Sequence, residues 1–225
     1  MIPHHPASFL LGISPLLPIK KEKRYRQYCL YSPDGTDSYK FYRRGRSMER
    51  TTCSFTGHRP KSFPWKYDET DRNCTLLKEV LAAQIAVLVD SGVTDWYSGM
   101  ALGVDCWASE IVLTLREKNP VLKLHCILPH KGQADRWSES AQERYHAILE
   151  RADSVTYASR EYYDGCLIDR NHRLVEAAGL LLAVFNGARR SGTGATVNYA
   201  RKLGREIIII DPISRKVSRT NESVR

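Results

Sequence analysis

The chain has 225 residues, 42% of them hydrophobic and 26% charged, with a formal net charge of +9. That is enough apolar content for one ordinary α/β domain with some extra chain, and it excludes a fibrous or wholly disordered protein. The charge is uneven: residues 1–47 hold nine Lys or Arg against three acidic residues, so the globular part is only mildly basic and its charge argues weakly for nucleic acid binding.

Residues 1–47 mix Pro, Gly, Ser, Tyr and basic residues without a helical or strand period, and read as a disordered or loosely ordered basic extension. The apolar run at 7–19 is too short to span a bilayer, contains Pro15 and Pro18, and precedes its basic cluster, so no membrane or secretory reading is supported. Met48 directly precedes the first ordered-looking element and is a candidate true start; the alternative is a basic arm that touches nucleic acid or a partner. One domain is expected over 48–212 and a flexible tail over 213–225.

A first strand is expected over 51–56, ended by Gly57, followed by a loop over 61–71. Asp71 or Asn73 is placed to cap a helix running through Asp90, with Leu77, Val80, Leu81, Ile85, Leu88 and Val89 on its apolar face. A short strand at 95–98 enters a Gly-containing loop, and a second helix covers 103–118, barred from continuing by Pro120. Strands follow at 123–128 and 154–157, with a helix at 138–151 between them and another at 169–178 after them. The near-continuous apolar run 180–185 reads as a strand buried on both faces. A Gly/Ser loop, a helix over 195–203 and a last strand at 206–210 complete the alternation. Such alternation predicts a mostly parallel sheet with helices on both faces, whose ligands bind at the carboxyl ends of the strands.

The six cysteines (Cys29, Cys53, Cys74, Cys106, Cys126, Cys166) show no CxxC pair and no Cys/His ligand spacing, so no metal site is expected. Scattered among apolar residues, they fit a reducing, cytoplasmic compartment.

Three loops fall at the predicted carboxyl edge. Thr56-Gly57-His58-Arg59-Pro60 offers close backbone approach and two donors to an anion, though a plain turn would look the same. Ser98-Gly99-Met100-Ala101-Leu102-Gly103 leads into a helix that carries Asp105 in its first turn, which suits either a tight strand–helix turn or a phosphate cradle. The run from Asn186 to Thr196, with Gly187, Gly192 and Gly194 among hydroxyls, follows the most buried strand and resembles a phosphate-binding nest, or a surface loop. Neither a P-loop nor the G-x-G-x-x-G dinucleotide fingerprint is present.

Cys53-Ser54-Phe55-Thr56-Gly57-His58-Arg59-Pro60, Gly99-Met100-Ala101-Leu102-Gly103-Val104-Asp105-Cys106-Trp107-Ala108-Ser109-Glu110 and Gly132-Gln133-Ala134-Asp135-Arg136-Trp137 together resemble the YpsA-like family, extended by Asp169-Arg170-Asn171 and the Gly192 loop. That bacterial family of unsettled function belongs to the SLOG superfamily, with the DNA-processing protein A core and the LOG phosphoribohydrolases. The resemblance covers about residues 50–212. It implies a modified Rossmann-like fold that binds a nucleotide or nucleotide-derived ligand such as NAD, ADP-ribose or a nucleoside phosphate. A sensor or regulator linked to bacterial cell division or stress is the implied role.

The resemblance supports Gly57, Ser98, Gly99, Gly103, Asp105, Gly192 and Thr193 as pocket-forming, with His58, Arg59, Met100, Gln133, Trp137, Asn171 and Gly194 as further ligand-binding candidates. Trp137 would stack on a base or ribose, or pack its loop over the sheet edge. Glu110 reads as a helix residue that anchors a neighbouring loop. LOG enzymes carry PGGxGTxxE, whose Glu serves glycosidic cleavage; here Thr196 stands at that position, so no catalytic residue is assigned beyond Asp105 as a stand-in. Two alternatives remain: a weak nucleosidase or N-glycosidic hydrolase, and a single-stranded DNA binder like DNA-processing protein A that uses the basic arm or Arg189 and Arg190. A homo-oligomer is compatible with the apolar helical faces.

Overall fold

The computed structural model describes residues 28–31, 37–40 and 51–220. Its elements in chain order are β1 (Tyr28–Tyr31), β2 (Asp37–Lys40), β3 (Thr52–Gly57), α1 (Arg72–Asp90), β4 (Asp95–Ser98), α2 (Val104–Arg116), β5 (Lys123–Leu128), α3 (Glu139–Glu150), β6 (Ser154–Tyr157), α4 (Cys166–Ala177), β7 (Leu180–Val184), α5 (Gly192–Lys202), β8 (Glu206–Ile210) and β9 (Val217–Thr220). The strands form one sheet in the order β2-β1-β6-β5-β4-β3-β7-β8-β9. The six from β6 to β8 are parallel; β1, β2 and β9 join antiparallel at the edges. This is the Rossmann-like α/β sheet that the alternating pattern predicts.

Side-chain alternation along the strands makes two cores. Cys53, Phe55, Leu180, Leu182 and Val184 face a large core shared with α1, α2 and α3. Leu181, Ala183 and Ile207 point the other way, into a smaller core with Val175 of α4 and Val197 and Ala200 of α5. β7 is buried along its whole length, as its unbroken apolar run requires. Helix α1 opens on Asp71, whose side chain accepts from the Asn73 and Cys74 N–H groups. Its buried residues Cys74, Leu77, Leu81, Ile85 and Leu88 recur every three or four positions, one helical stripe.

The chain leaves β3 toward β4, β5 and β6, then returns to lay β7 and β8 on the other side of β3. The topological switch point therefore lies at β3, and the crevice opens beyond its carboxyl end.

Several expectations need correction. Within the stretch read as a loose extension, Tyr28–Tyr31 and Asp37–Lys40 form a hairpin, and β1 meets β6 through the pair Tyr31–Tyr157. The signal was Pro33-Asp34-Gly35, a turn-forming triplet between two short runs. The rest of 1–47, and 221–225, lie outside the described residues. In the stretch read as a flexible tail, Val217–Thr220 pairs with β8 as β9. Asp211 makes the return, its Oδ1 accepting from the N–H groups of Ile213 and Ser214. Helices α4 and α5 each begin three residues before the expected position, so Gly192, Thr193 and Gly194 form the first turn of α5 rather than a loop.

Gly57 sets the distance between β3 and α2: a Cβ there would lie 2.4 Å from Val104 Cβ, and Val104 is the first residue of α2. Gly57→Ala is expected to cost about 1–3 kcal/mol through overpacking, lowering Tm by about 2–12 °C. Thermal denaturation of the two proteins checks this, and an unchanged Tm for Gly57→Ala would contradict it.

Candidate functional site

The loop after β4 is built around a buried ion pair. Arg170, on α4, is 4% exposed, and Asp105, in the first turn of α2, is 5% exposed. Their nearest atoms, Arg170 Nη1 and Asp105 Oδ2, are 3.9 Å apart. The Arg170 guanidinium also donates to the Gly99 carbonyl. A Cβ on Gly99 would fall 1.9 Å from Arg170 Nη1, so only glycine lets the guanidinium reach this carbonyl. The Ala101 N–H donates to Asp105 Oδ2 at 3.3 Å. Burial raises the Asp105 carboxyl above the usual carboxylate range, while Arg170, the Ala101 N–H and Arg59 pull the other way. Burial likewise lowers Arg170, but a guanidinium keeps its charge in proteins.

The turn itself is held from several sides. Ser98 Oγ accepts from the Met100 N–H at 3.1 Å and donates to the Asp105 carbonyl at 3.3 Å. Ser109 Oγ donates to that same carbonyl at 2.7 Å. Gln133 Nε2 donates to the Gly99 and Met100 carbonyls at 3.2 and 2.6 Å. Met100 takes a left-handed φ of 53° and Gly103 a φ of 92°. A non-glycine residue in that region costs energy, which this bonding offsets.

A narrow cleft of about 350 Å³ opens at the switch point. Its walls are Gly57, His58 and Arg59 after β3, Ala101 and Asp105, Arg170 and Asn171 from α4, and Ser191, Gly192 and Thr193 at the start of α5. His58 Nε2 lies 2.8 Å from Asn186 Oδ1, tying the loops after β3 and β7 together. Burial lowers the His58 imidazole below its ordinary value, against the Asn186 acceptor, so at neutral pH the ring is uncharged. Ser191 caps α5 by accepting from the Gly194 N–H at 2.9 Å. The N–H groups of Gly192 and Thr193 have no partner among the described residues, and neither does the buried Nε of Arg170. Free donors at a helix N-terminus and a buried guanidinium are groups of the kind that bind anions.

Beside it runs a wider groove of about 1200 Å³, lined among others by Arg59, Lys61, Tyr67, Gln133, Arg136, Trp137, Arg160 and Tyr162. The two meet at Arg59 and Lys61.

The sequence-predicted residues thus divide. Gly57, His58, Arg59, Asp105, Asn171, Gly192 and Thr193 converge on the narrow cleft. Gln133 and Trp137 line the wide groove, and Trp137 also packs edge-on against Tyr145. Ser98, Gly99, Met100, Gly103 and Gly194 are buried and line neither; they shape the turns, and the Met100 side chain is fully enclosed in the core. Arg189 and Arg190 are exposed and line neither cleft. In sequence Arg170 stands out only within Asp169-Arg170-Asn171, where an Arg on a helix looks like solvated surface, so it is not among the expected site residues. Thr196 is 1% exposed and donates to the Gly192 carbonyl inside its own helix, so no acid stands where LOG enzymes place their Glu.

Glu110 anchors α3 directly, and the 61–71 loop only through it: Arg144 grips its two carboxylate oxygens at 2.5 Å each. Arg144 also donates to Glu69, which further accepts from Lys78 and from the Trp107 indole. This network ties the 61–71 loop, and with it Tyr67, to α1, α2 and α3. Among the described residues no group of three or more His, Cys, Asp or Glu is arranged to hold a metal ion, and no helix is long and apolar enough to cross a membrane. Cys53, Cys74, Cys106, Cys126 and Cys166 are unpaired and buried.

The model of the YspA SLOG family matches residues 53–212. A UPF0398 protein of Halalkalibacterium halodurans is 31% identical over 140 residues, 60% of this chain and 73% of the relative. One of Bacillus cereus is 30% identical over 154 residues, 66% of this chain and 82% of the relative. In three dimensions the chain is similar to DNA processing protein A of Streptococcus pneumoniae (TM-score 0.50, 15% identity, 72% of this chain and 53% of that one). It is also similar to DNA processing protein A of Helicobacter pylori, whose structure describes a single-stranded DNA binding mode (TM-score 0.50, 16% identity, 74% and 69%). The chain spans about half the length of the S. pneumoniae protein, and the likeness concerns the fold.

Burial alone would raise the Glu69 carboxyl, but its bonds to Arg144, Lys78 and Trp107 outweigh this and pull it from 4.5 to about 2. A depressed carboxyl stabilises the fold fully above its unfolded value and loses that contribution as pH falls through the folded one. Glu69→Gln should therefore lower Tm by a constant few degrees above pH ~5. The gap to the unsubstituted protein should narrow as pH falls from 4.5 toward 2. Calorimetric scans across that range check it; a gap independent of pH would contradict the ionic role.

Proposed function

Because the chain belongs to the YspA SLOG family, we propose that its narrow cleft binds a nucleotide or nucleotide-derived ligand, and that the protein acts as a sensor or regulator. What supports this is that Gly192, Thr193 and Arg170 line one cleft at the switch point, the N–H groups of the first two and the Nε of the third having no partner among the described residues. A phosphate at the start of α5 would meet these donors and the exposed Arg59. Asp105, buried and held by Arg170, suits ribose hydroxyls better than proton transfer: a carboxylate beside a ribose in this fold class commonly accepts from its hydroxyls. NAD, ADP-ribose and nucleoside phosphates all present this chemistry.

A single-stranded nucleic acid is the second reading. It is favoured by the wide groove, which both cations and aromatic rings line, and by the fold likeness to the H. pylori protein described for its single-stranded DNA binding mode. Glycosidic hydrolysis draws no support from Thr196, whose hydroxyl is engaged within α5.

Titration calorimetry with ATP, ADP-ribose, NAD and cyclic nucleotides, each beside its nucleoside, tests the first reading. Phosphorylated ligands should bind at least about tenfold tighter than nucleosides, and Arg59→Ala should weaken them about tenfold, the equivalent of ~1.4 kcal/mol. No heat and no thermal shift with any of them would refute the reading. Free base released from nucleoside monophosphates, and lost in Asp105→Ala, would establish the hydrolase instead.

A further inference from the structure

We propose that the two clefts form one site for the end of a single-stranded nucleic acid, with the terminal phosphate and its nucleotide in the narrow cleft and the following nucleotides along the wide groove. The proposal rests on the nucleotide reading of the narrow cleft and gives the wide groove its occupant.

The narrow cleft has a buried floor: Asp105, Arg170, His58 and Thr193, all on its walls, are each at most 6% exposed. With about 350 Å³ the cleft sits at the low end of small-ligand pockets, the scale of one nucleotide. The donors at its base suit a terminal phosphate, which carries more charge than a bridging one.

The wide groove differs in both size and chemistry. At about 1200 Å³ it exceeds the ordinary range of small-molecule sites. Three loops each contribute a ring: Tyr67 and Tyr162 are 65% and 63% exposed, and Trp137 is half-buried. Tyr162 is steadied by His130 edge-on and by its hydroxyl bond to Asp164. Arg136 and Arg160 lie among these rings, outnumbered by neither of the nearby acids Asp135 and Glu161 once Arg59 and Lys61 are included. Aromatic rings interleaved with cations are what successive bases and phosphates of a single strand require. Arg59 and Lys61, shared by both clefts, stand where the second phosphate would pass.

The test is fluorescence anisotropy on the full chain with internally labelled 12-nucleotide DNA and RNA strands ending in 5′-phosphate, 3′-phosphate or hydroxyls only. Circular single-stranded DNA serves as competitor, and calorimetry with nucleoside monophosphates runs in parallel. One phosphate-ended strand should bind at least about tenfold tighter than the hydroxyl-ended strand and than the monophosphate, and the circle should compete about tenfold worse per nucleotide. Tyr67→Ala with Tyr162→Ala, both on the surface, should weaken strand binding about tenfold and leave monophosphate binding unchanged. Equal binding of circle, hydroxyl ends and phosphate ends overturns the proposal. So does monophosphate binding that the strands do not exceed, in which case the nucleotide reading stands. Absence of binding by monophosphates and strands alike overturns both.

Discussion

The structure depends on a cation buried in the floor of the cleft. Arg170 is buried on α4, donating to the Gly99 carbonyl and facing Asp105 at 3.9 Å. Burying a charge is expensive unless it is paired and bonded. Meeting that cost dictates the residues around it: glycine at 99, a carboxylate in the first turn of α2, and a turn after β4 tight enough to put Met100 at a positive φ. Ser98, Ser109 and Gln133 then hold that turn in place. Because α4 and α2 pack on opposite faces of the sheet, the pair also bridges the two layers across the sheet's carboxyl edge.

From this follows a division of labour among the glycines and polar residues of the edge. Some build the site without facing it; Gly99, Ser98 and Gly103 belong here. Others face it: Gly192 and Thr193 present N–H groups at the head of α5, and Arg59 stands at the mouth. In the proposed reading the donors of the cleft meet an anion, and Asp105 positions the ligand rather than reacting. The Glu69–Arg144–Glu110 network serves a parallel purpose, holding the 61–71 loop and Tyr67 beside the wide groove.

Much of the fold was legible in sequence because its strands are buried and its helices amphipathic. The bounds of β4, β5, β6 and β8 coincide with their expected positions; β4, β5 and β8 are closed by Gly99, Pro129 and Asp211. The edges were not legible: β1, β2 and β9 are short, and edge strands need no continuous apolar run. The starts of α4 and α5 were displaced for a related reason. Glycines at 192 and 194 carry a loop signal, yet here they are the first turn of a helix capped by Ser191. In the site, the loops were found by their glycines, but which residues face the ligand depends on close approach between elements distant in sequence. Arg170 lies 71 positions from the carbonyl it binds, and no local pattern announces that contact.

The central claim, that the buried Arg170 guanidinium awaits an anion at the switch point, is tested most directly by nitrogen-15 NMR of the arginine Nε–H groups. AMP and adenosine would be titrated into the protein separately. The account predicts that AMP shifts the Arg170 Nε–H resonance and slows its exchange with water, while adenosine at the same saturation leaves it in place. An Arg170 resonance unmoved by AMP, in a protein whose other signals show that AMP has bound, would contradict it.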